Sequence, residues 1–395
     1  MNNPQDTVPP IIHVAGTNGK GSTIAFIQAG LEANGHKVHV FSSPHLINIR
    51  ERIKISGKEI SPDYFDSLLA TCIELNENKN LSFFELLTAV AFLAFSQNKA
   101  DWTILEVGLG GRLDSTNVIK KPRLSIITPI SMDHEEFLGN NLEKIVLEKA
   151  GILKLRSKAI IAKQEKVALQ ILKRRTKALD CPTIIQNEDF QVEESNSSLL
   201  FSDSKKVIPL PKPKLEGPHQ IANAGVAISA LLELGCSQKC LNDAMQKVFW
   251  PGRLQRISQG NLSPSNLGFE AELFLDGGHN SSAGNAIADW IKQLKPSTFF
   301  LILGMMQNKD LEGFLKPLKS SIYKLIAVKI PEEINAREPE NIVETSTKLH
   351  IPSKSANSIE HALNDVKIED SILPKRILIT GSLYLVGKYL KLNSS

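Results

Sequence analysis

Ile11-Ile12-His13-Val14-Ala15-Gly16-Thr17-Asn18-Gly19-Lys20-Gly21-Ser22 reads as a buried strand running into a glycine-rich turn and then a helix. A polyphosphate needs many donors and close backbone approach, and Gly16, Gly19 and Gly21 have no Cβ to obstruct it. Lys20 adds a cation. A helix beginning at Gly21 or Ser22 aims its first N–H groups and its positive dipole end at the phosphates. The hydroxyl of Ser22 or Thr23 is then within reach of Mg²⁺. The stretch departs from the general G-x-x-x-x-G-K-[ST] rule, since Val14 stands where the first Gly belongs and Gly21 follows the lysine directly. The plain alternative is a strand-to-helix turn without a ligand, but a lysine between two glycines has no evident packing role.

With 395 residues, 42% of them hydrophobic, the chain has material for two cores. Forty-six basic residues against 42 acidic leave a net charge of +4, spread apart from a short run at Lys173-Arg174-Arg175. Nothing in that balance demands nucleic acid. Cys72, Cys181, Cys236 and Cys240 form no C-x-x-C pair, so reduced structural thiols are expected. The start, Met1 to Asp6, lacks a basic and apolar leader, and the longest apolar run, Leu86 to Phe95, is too short to span a bilayer. The expectation is a soluble, cytoplasmic protein with no membrane partner.

Apolar runs suited to buried parallel strands recur at Ile11–Ala15, Val38–Ser42, Trp102–Val107, Leu124–Thr128 and Ala159–Ala162, with helical patterns between most of them. This is an α/β sheet with crossover helices. Between Gln191 and Gly217 the composition predicts an antiparallel hairpin and a loop, and one helical pattern then runs from Gln220 to Val248. Trp250-Pro251-Gly252-Arg253 breaks it and marks a domain boundary. A second α/β series follows, with strands at Leu273–Leu275, Phe299–Leu303, Leu325–Val328 and Arg376–Thr380 and helices at Ser282–Leu294 and Leu383–Leu392. The reading is a P-loop-type, mostly parallel sheet domain over residues 1–250 and a smaller Rossmann-like α/β domain over 251–395.

Four further segments carry polar groups that could serve a site, and the last of them, at Asp276, ends a strand where open α/β sheets bind ligands. Glu106 ends an apolar strand and precedes Gly108-Leu109-Gly110-Gly111-Arg112-Leu113-Asp114-Ser115. A buried carboxylate needs a partner, either a cation such as Mg²⁺ or a basic side chain, and an ion pair with Arg112 is the bland choice. Asp133, His134, Glu135 and Glu136 follow the next strand as metal ligands or a base, or simply as a helix start capped by Asp133. Glu148-Lys149 ends a helix, where a solvated pair or a C-terminal cap is the ordinary meaning. Asp276-Gly277-Gly278-His279-Asn280 ends a strand of the second series, and Arg253 is placed either to meet phosphates or to lie on the surface.

Taken together with Ser42-Ser43-Pro44-His45-Leu46, Ser82-Phe83-Phe84-Glu85 and Gly252-Arg253, these motifs resemble the folylpolyglutamate synthase/dihydrofolate synthase family over nearly the whole chain. Some are shared with the Mur ligases of cell-wall synthesis. The resemblance implies an ATP-dependent amide ligase that joins L-glutamate to dihydropteroate, to a reduced folate, or to both, through an acyl phosphate. It implies that Thr17, Asn18, Gly19, Lys20, Gly21 and Ser22 hold the ATP phosphates, with Asn223, Arg253, Asp276 and His279 as further nucleotide contacts. It places the magnesium site at Ser43, Glu106 and His134, joined by Lys149 once that lysine is carbamylated. Lys20, His134 and Lys149 are then the catalytic residues, and Ser82, Phe83, Phe84, Glu85, Leu113, Asp114 and Ser115 face the pterin.

The same resemblance implies Mg²⁺, leaves a monovalent-cation requirement open, and implies a monomer with ATP held between the two domains. Family members carry a longer segment before the phosphate turn, with a helix that helps close the pterin side, whereas ten residues precede Ile11 here. Two rival readings are a Mur-type ligase, for whose extra N-terminal domain the chain has no room, and a nucleotide-binding protein that has lost ligation.

Overall fold

The computed structural model describes residues 3–77, 79–195 and 198–394. They separate into two units, Met1–Lys214 with His219–Phe249, and Leu215–Pro218 with Trp250–Ser395.

The first unit is built on β1 (Ile11–Ala15), whose five residues are all buried. α1 (Lys20–Ala33) follows, starting one residue earlier than the sequence pattern suggests. It is buried round most of its surface, as expected of a helix apolar on every face. β2 (Val38–Phe41), β3 (Ile53–Ile55) and β4 (Lys58–Glu59) come next, then α2 (Pro62–Leu75), α3 (Phe83–Gln97) and β5 (Trp102–Glu106). After β6 (Leu124–Ile127) come the one-turn α4 (Glu135–Leu138) and α5 (Leu142–Lys149), then β7 (Lys158–Ile161), α6 (Lys166–Ala178) and β8 (Thr183–Ile185). The eight strands lie in the order β4-β3-β2-β5-β1-β6-β7-β8, parallel except for β3 and β4. On one side Phe41 and Leu105 of the sheet pack with Phe65 of α2 and Phe95 of α3, and on the other Ile127 and Ile161 pack with Ile145 of α5 and Leu172 of α6.

β1 lies between β5 and β6, with Val14 level with Glu106 and Ala15 level with Ile127. That register brings the ends of three strands together and fixes where their loops emerge. Open parallel sheets bind ligands at such carboxyl ends.

Two readings are corrected. The expected hairpin is a three-stranded antiparallel sheet of β9 (Phe190–Ser195), β10 (Ser198–Asp203) and β11 (Val207–Pro211). The expected single helix from Gln220 to Val248 is two, α7 (Pro218–Glu233) and α8 (Gln238–Lys247), because Gly235 adopts a φ of +81° that ends the first.

The second unit holds β12 (Gln255–Ile257), β13 (Ala271–Leu275), α9 (Ser281–Gln293), β14 (Thr298–Leu303), α10 (Leu311–Leu315), β15 (Lys324–Val328), α11 (Pro339–Lys348), β16 (Ser353–Ala356), α12 (Ile359–Ile368), β17 (Lys375–Thr380) and α13 (Leu383–Ser394). The sheet order is β12-β13-β17-β14-β15-β16, parallel except for β12. Trp290, Phe299, Leu301, Phe314 and Leu378 fill its core. Among the described residues no helix is long and apolar enough to cross a membrane.

Candidate active site

The turn after β1 is held from beneath. Thr17 N donates to Pro129 O at 2.9 Å, and Thr17 Oγ1 donates to Ser131 O at 3.0 Å while accepting from Ser131 N at 3.1 Å. Asn18 Nδ2 reaches Ser131 Oγ at 3.2 Å. A Cβ on Gly16 would lie 1.9 Å from Thr128 Oγ1, and one on Gly19, at φ +81°, would lie 2.4 Å from Asn223 Oδ1. Side chains at either place would push the turn off its support.

Lys20 curls over this turn and donates to the carbonyls of Gly16 at 3.2 Å and Thr17 at 3.4 Å. Its Nζ stands 3.9 Å from the carboxylate of Glu106, which is 4% exposed and accepts from Ser43 N at 3.1 Å. Lys20, and not Arg112, is therefore the cation beside Glu106. Arg112 pairs at 2.9 Å with Glu148.

That leaves Lys149 to another role. It is 5% exposed, and its Nζ donates to Gly16 O at 3.0 Å. Burial, aided by the charge of Lys20 and opposed by Asp133 and Asp114, lowers its pKa to about 7. It is neither a solvated partner of Glu148 nor a simple helix cap.

Asp133 does not cap α4. The cap position is His134, at φ +52°, whose N–H donates to Asp133 Oδ1 at 2.9 Å and whose Nε2 is 3.9 Å from Asp133 Oδ2. A left-handed histidine is costly by about 1 kcal/mol or more, and such strain gathers at working sites. Glu106, Asp133 and the hydroxyls of Ser22 and Ser43 are hard oxygen donors, which suit Mg²⁺ or Mn²⁺ better than a soft-ligand metal. Among the described residues no three His, Cys, Asp or Glu side chains gather into a metal-holding group. An ion at this place would need oxygens from outside that set, such as hydroxyls, phosphates or water.

The segments expected to face a pterin lie side by side. Ser82 and Glu85 form the capping box of α3. Phe83 is 57% and Leu113 78% exposed, both apolar, with the Arg52 guanidinium 5.5 Å above the Phe83 ring. Ser115 Oγ meets Thr88 Oγ1 at 2.7 Å, tying the loop to α3.

In the second unit, Asp276 is buried and both of its oxygens are engaged, by Leu254 N at 2.9 Å and Gly278 N at 2.7 Å. Arg253 Nη1 donates to Gly252 O at 3.0 Å, and His279 Nδ1 donates to Gly277 O at 2.9 Å. These bonds fix the Gly277–Asn280 loop ahead of α9, whose cap is Asn280.

Residues 14–231 match the Mur ligase middle domain, and residues 261–392 the C-terminal domain of dihydrofolate synthetase. The chain is 31% identical to the dihydrofolate synthetase of Saccharomyces cerevisiae, over all of this chain and 95% of that protein. It is also 31% identical to a dihydrofolate synthase/folylpolyglutamate synthase of Bacillus subtilis, over 95% of this chain and 88% of that one. The chain belongs to the folylpolyglutamate synthase/dihydrofolate synthase family. Members of this family are ATP-dependent ligases, and so is this enzyme.

Solved relatives carry the fold throughout. Escherichia coli FolC in complex with DHPP and ADP is similar with a TM-score of 0.87 and 28% identity, covering 98% of this chain and 89% of that one. The bifunctional folylpolyglutamate synthase/dihydrofolate synthase of Yersinia pestis with Mn, AMPPNP and L-glutamate bound gives 0.85 and 28%, with coverage of 98% and 89%.

Sequence reading missed one supporting residue of this ligase. Gln220, fully buried on α7, donates through Nε2 to Ser22 Oγ at 3.2 Å and accepts from Asn223 Nδ2 at 3.0 Å. Its spacing of three from Asn223 was the available signal, since those positions share a helix face.

Proposed function

We propose that this ligase adds L-glutamate to dihydropteroate, to tetrahydrofolate, or to both. The observation that carries the reading is the junction of the Lys20-bearing turn with Glu106, 3.9 Å apart at the ends of β1 and β5. The DHPP, ADP, AMPPNP, Mn and L-glutamate named with the solved relatives support it.

Two anionic substrates must meet, so their repulsion is the first barrier. Thr17 to Ser22 cradle the ATP phosphates, and Lys20 leaves the carbonyls of Gly16 and Thr17 to neutralise the γ-phosphoryl group. Ser43, Glu106, His134 and carbamylated Lys149 are the proposed holders of a divalent ion, magnesium in the cell. Bound there, it would supply further charge neutralisation at the transferring phosphoryl group. The substrate carboxylate then attacks phosphorus and ADP departs. Glutamate's amine attacks the acyl carbon, the carbon–oxygen bond to phosphate breaks, and the ammonium proton is lost, leaving an amide and phosphate.

Asn223, Arg253, Asp276 and His279 are the proposed nucleotide contacts, and Ser82 to Glu85 with Leu113 to Ser115 the pterin contacts. Residues 1–250 form the ATP-binding domain and 251–395 the glutamate-ligase domain in this reading, acting as a cytoplasmic monomer. The test is phosphate release from ATP with dihydropteroate plus glutamate, set beside tetrahydrofolate plus glutamate. Stimulation by one or both is expected. Stimulation by neither would leave a nucleotide-binding protein without ligation.

A further inference from the structure

His13 faces inward from β1 with 0% exposure, the one polar side chain of an otherwise apolar strand. Its Nε2 lies 2.9 Å from Thr116 Oγ1, and that hydroxyl lies 2.5 Å from Asp114 Oδ1. A hydroxyl has one hydrogen, and the carboxylate can only accept it. Thr116 therefore accepts from His13, which carries its proton on Nε2. The bare Nδ1, an acceptor in that tautomer, is buried without a partner.

Asp114 is the hub of the glycine-rich loop. Besides Thr116 Oγ1 it accepts from Thr116 N at 3.0 Å, Gly108 N at 3.0 Å and Leu109 N at 2.9 Å. Next to it, Ser115 Oγ donates to Thr88 Oγ1, which spends its own hydrogen on Phe84 O at 2.7 Å. A line of bonds thus runs from the sheet interior, through the loop, to the start of α3.

We propose that His13 is a positioning residue for pterin recognition, holding Thr116 and through it Asp114 so that Leu113 to Ser115 keep one conformation against α3. The proposal rests on the pterin reading of that loop. It sets His13 apart from the phosphate turn three residues away, which has its own supports at Pro129 and Ser131.

The test is steady-state kinetics of wild type, His13→Leu, His13→Gln and Thr116→Val, varying the pterin substrate and then ATP. His13→Leu removes one buried hydrogen bond and Thr116→Val two, the bonds to His13 and to Asp114, so KM for the pterin substrate should rise about tenfold in the first and at least as much in the second. KM for ATP and kcat should stay within about twofold of wild type. His13→Gln, whose side-chain amide donates from near the Nε2 position, should recover most of the loss. An unchanged pterin KM, an equal rise in KM for ATP, or a glutamine variant as impaired as leucine would each overturn the proposal. If His13→Leu does not fold, Thr116→Val is read beside His13→Gln: an unmoved pterin KM in Thr116→Val, or a raised one in His13→Gln, would overturn the proposal. Wild type that turns over no pterin substrate would sink the functional reading, whereas active wild type with unmoved variants would sink only the role of His13.

Discussion

Lys149 Nζ donates to the carbonyl oxygen of Gly16 at 3.0 Å, joining the end of α5 to the first residue of the phosphate turn. With its pKa lowered to about 7, chiefly by burial, this lysine is partly neutral at neutral pH and nucleophilic there. Attack of the amine on CO₂ gives a carbamate and releases a proton. The carbamate keeps one N–H for Gly16 and adds two oxygens that share one negative charge. Turnover in CO₂-depleted buffer should drop at least about tenfold and return on adding bicarbonate, as for loss of a metal-site oxygen ligand. Lys149→Arg should be inactive and insensitive to bicarbonate; an active arginine variant would contradict the assignment.

Lys20→Ala should lower kcat/KM for ATP-dependent ligation by about a thousandfold, since a charge directed at the transferring phosphoryl group is lost. Phosphate release measures the loss, and near-normal turnover would remove Lys20 from the chemistry.

Gly151→Ala should be far more damaging than Arg112→Ala, although both sit at one contact. A Cβ on Gly151 would lie 2.4 Å from the Arg112 Cα, so backbone must shift, at a cost of about 2–4 kcal/mol. The Arg112–Glu148 pair is half exposed at the arginine, and its removal should cost less than about 1 kcal/mol. Urea unfolding of the two variants separates the cases, and equal midpoints would contradict this packing.

His13 also predicts an acid sensitivity. Burial lowers its pKa from 6.5 to about 3, so between those values the unfolded chain binds a proton that the folded chain refuses. Stability from this source is complete above 6.5 and falls as pH drops towards 3, with about 2 kcal/mol lost by about pH 5. His13→Gln has no such group. Its stability relative to wild type should improve by that amount between about pH 7.5 and about pH 5, as read from urea midpoints. A constant difference would show that His13 is solvated.

Much of the fold was legible because buried parallel strands announce themselves as short apolar runs, as at Ile11–Ala15 and Trp102–Glu106. What escaped has physical causes. β12 is three residues long and pairs antiparallel at a sheet edge, too brief for any periodicity. β11 contains Pro209 and Pro211, which argue against a strand but are tolerated on an edge with no ladder beyond it. Gly235 was a stop signal in plain view. In the site, Glu106 stood out as a buried acid, but choosing Lys20 over Arg112 as its neighbour required the β1–β5 register and the claim of Glu148 on Arg112. His13 was visible as a histidine in an apolar run, and its partner lies 103 residues away.

The central claim is that a carboxylate is activated by phosphorylation before glutamate's amine attacks it. Its most direct test supplies dihydropteroate, or tetrahydrofolate, with heavy oxygen in the reacting carboxylate and follows the label by mass spectrometry of the released phosphate. One labelled oxygen per phosphate is predicted, in step with amide formation. Amide formed while all released phosphate stays unlabelled would contradict the account.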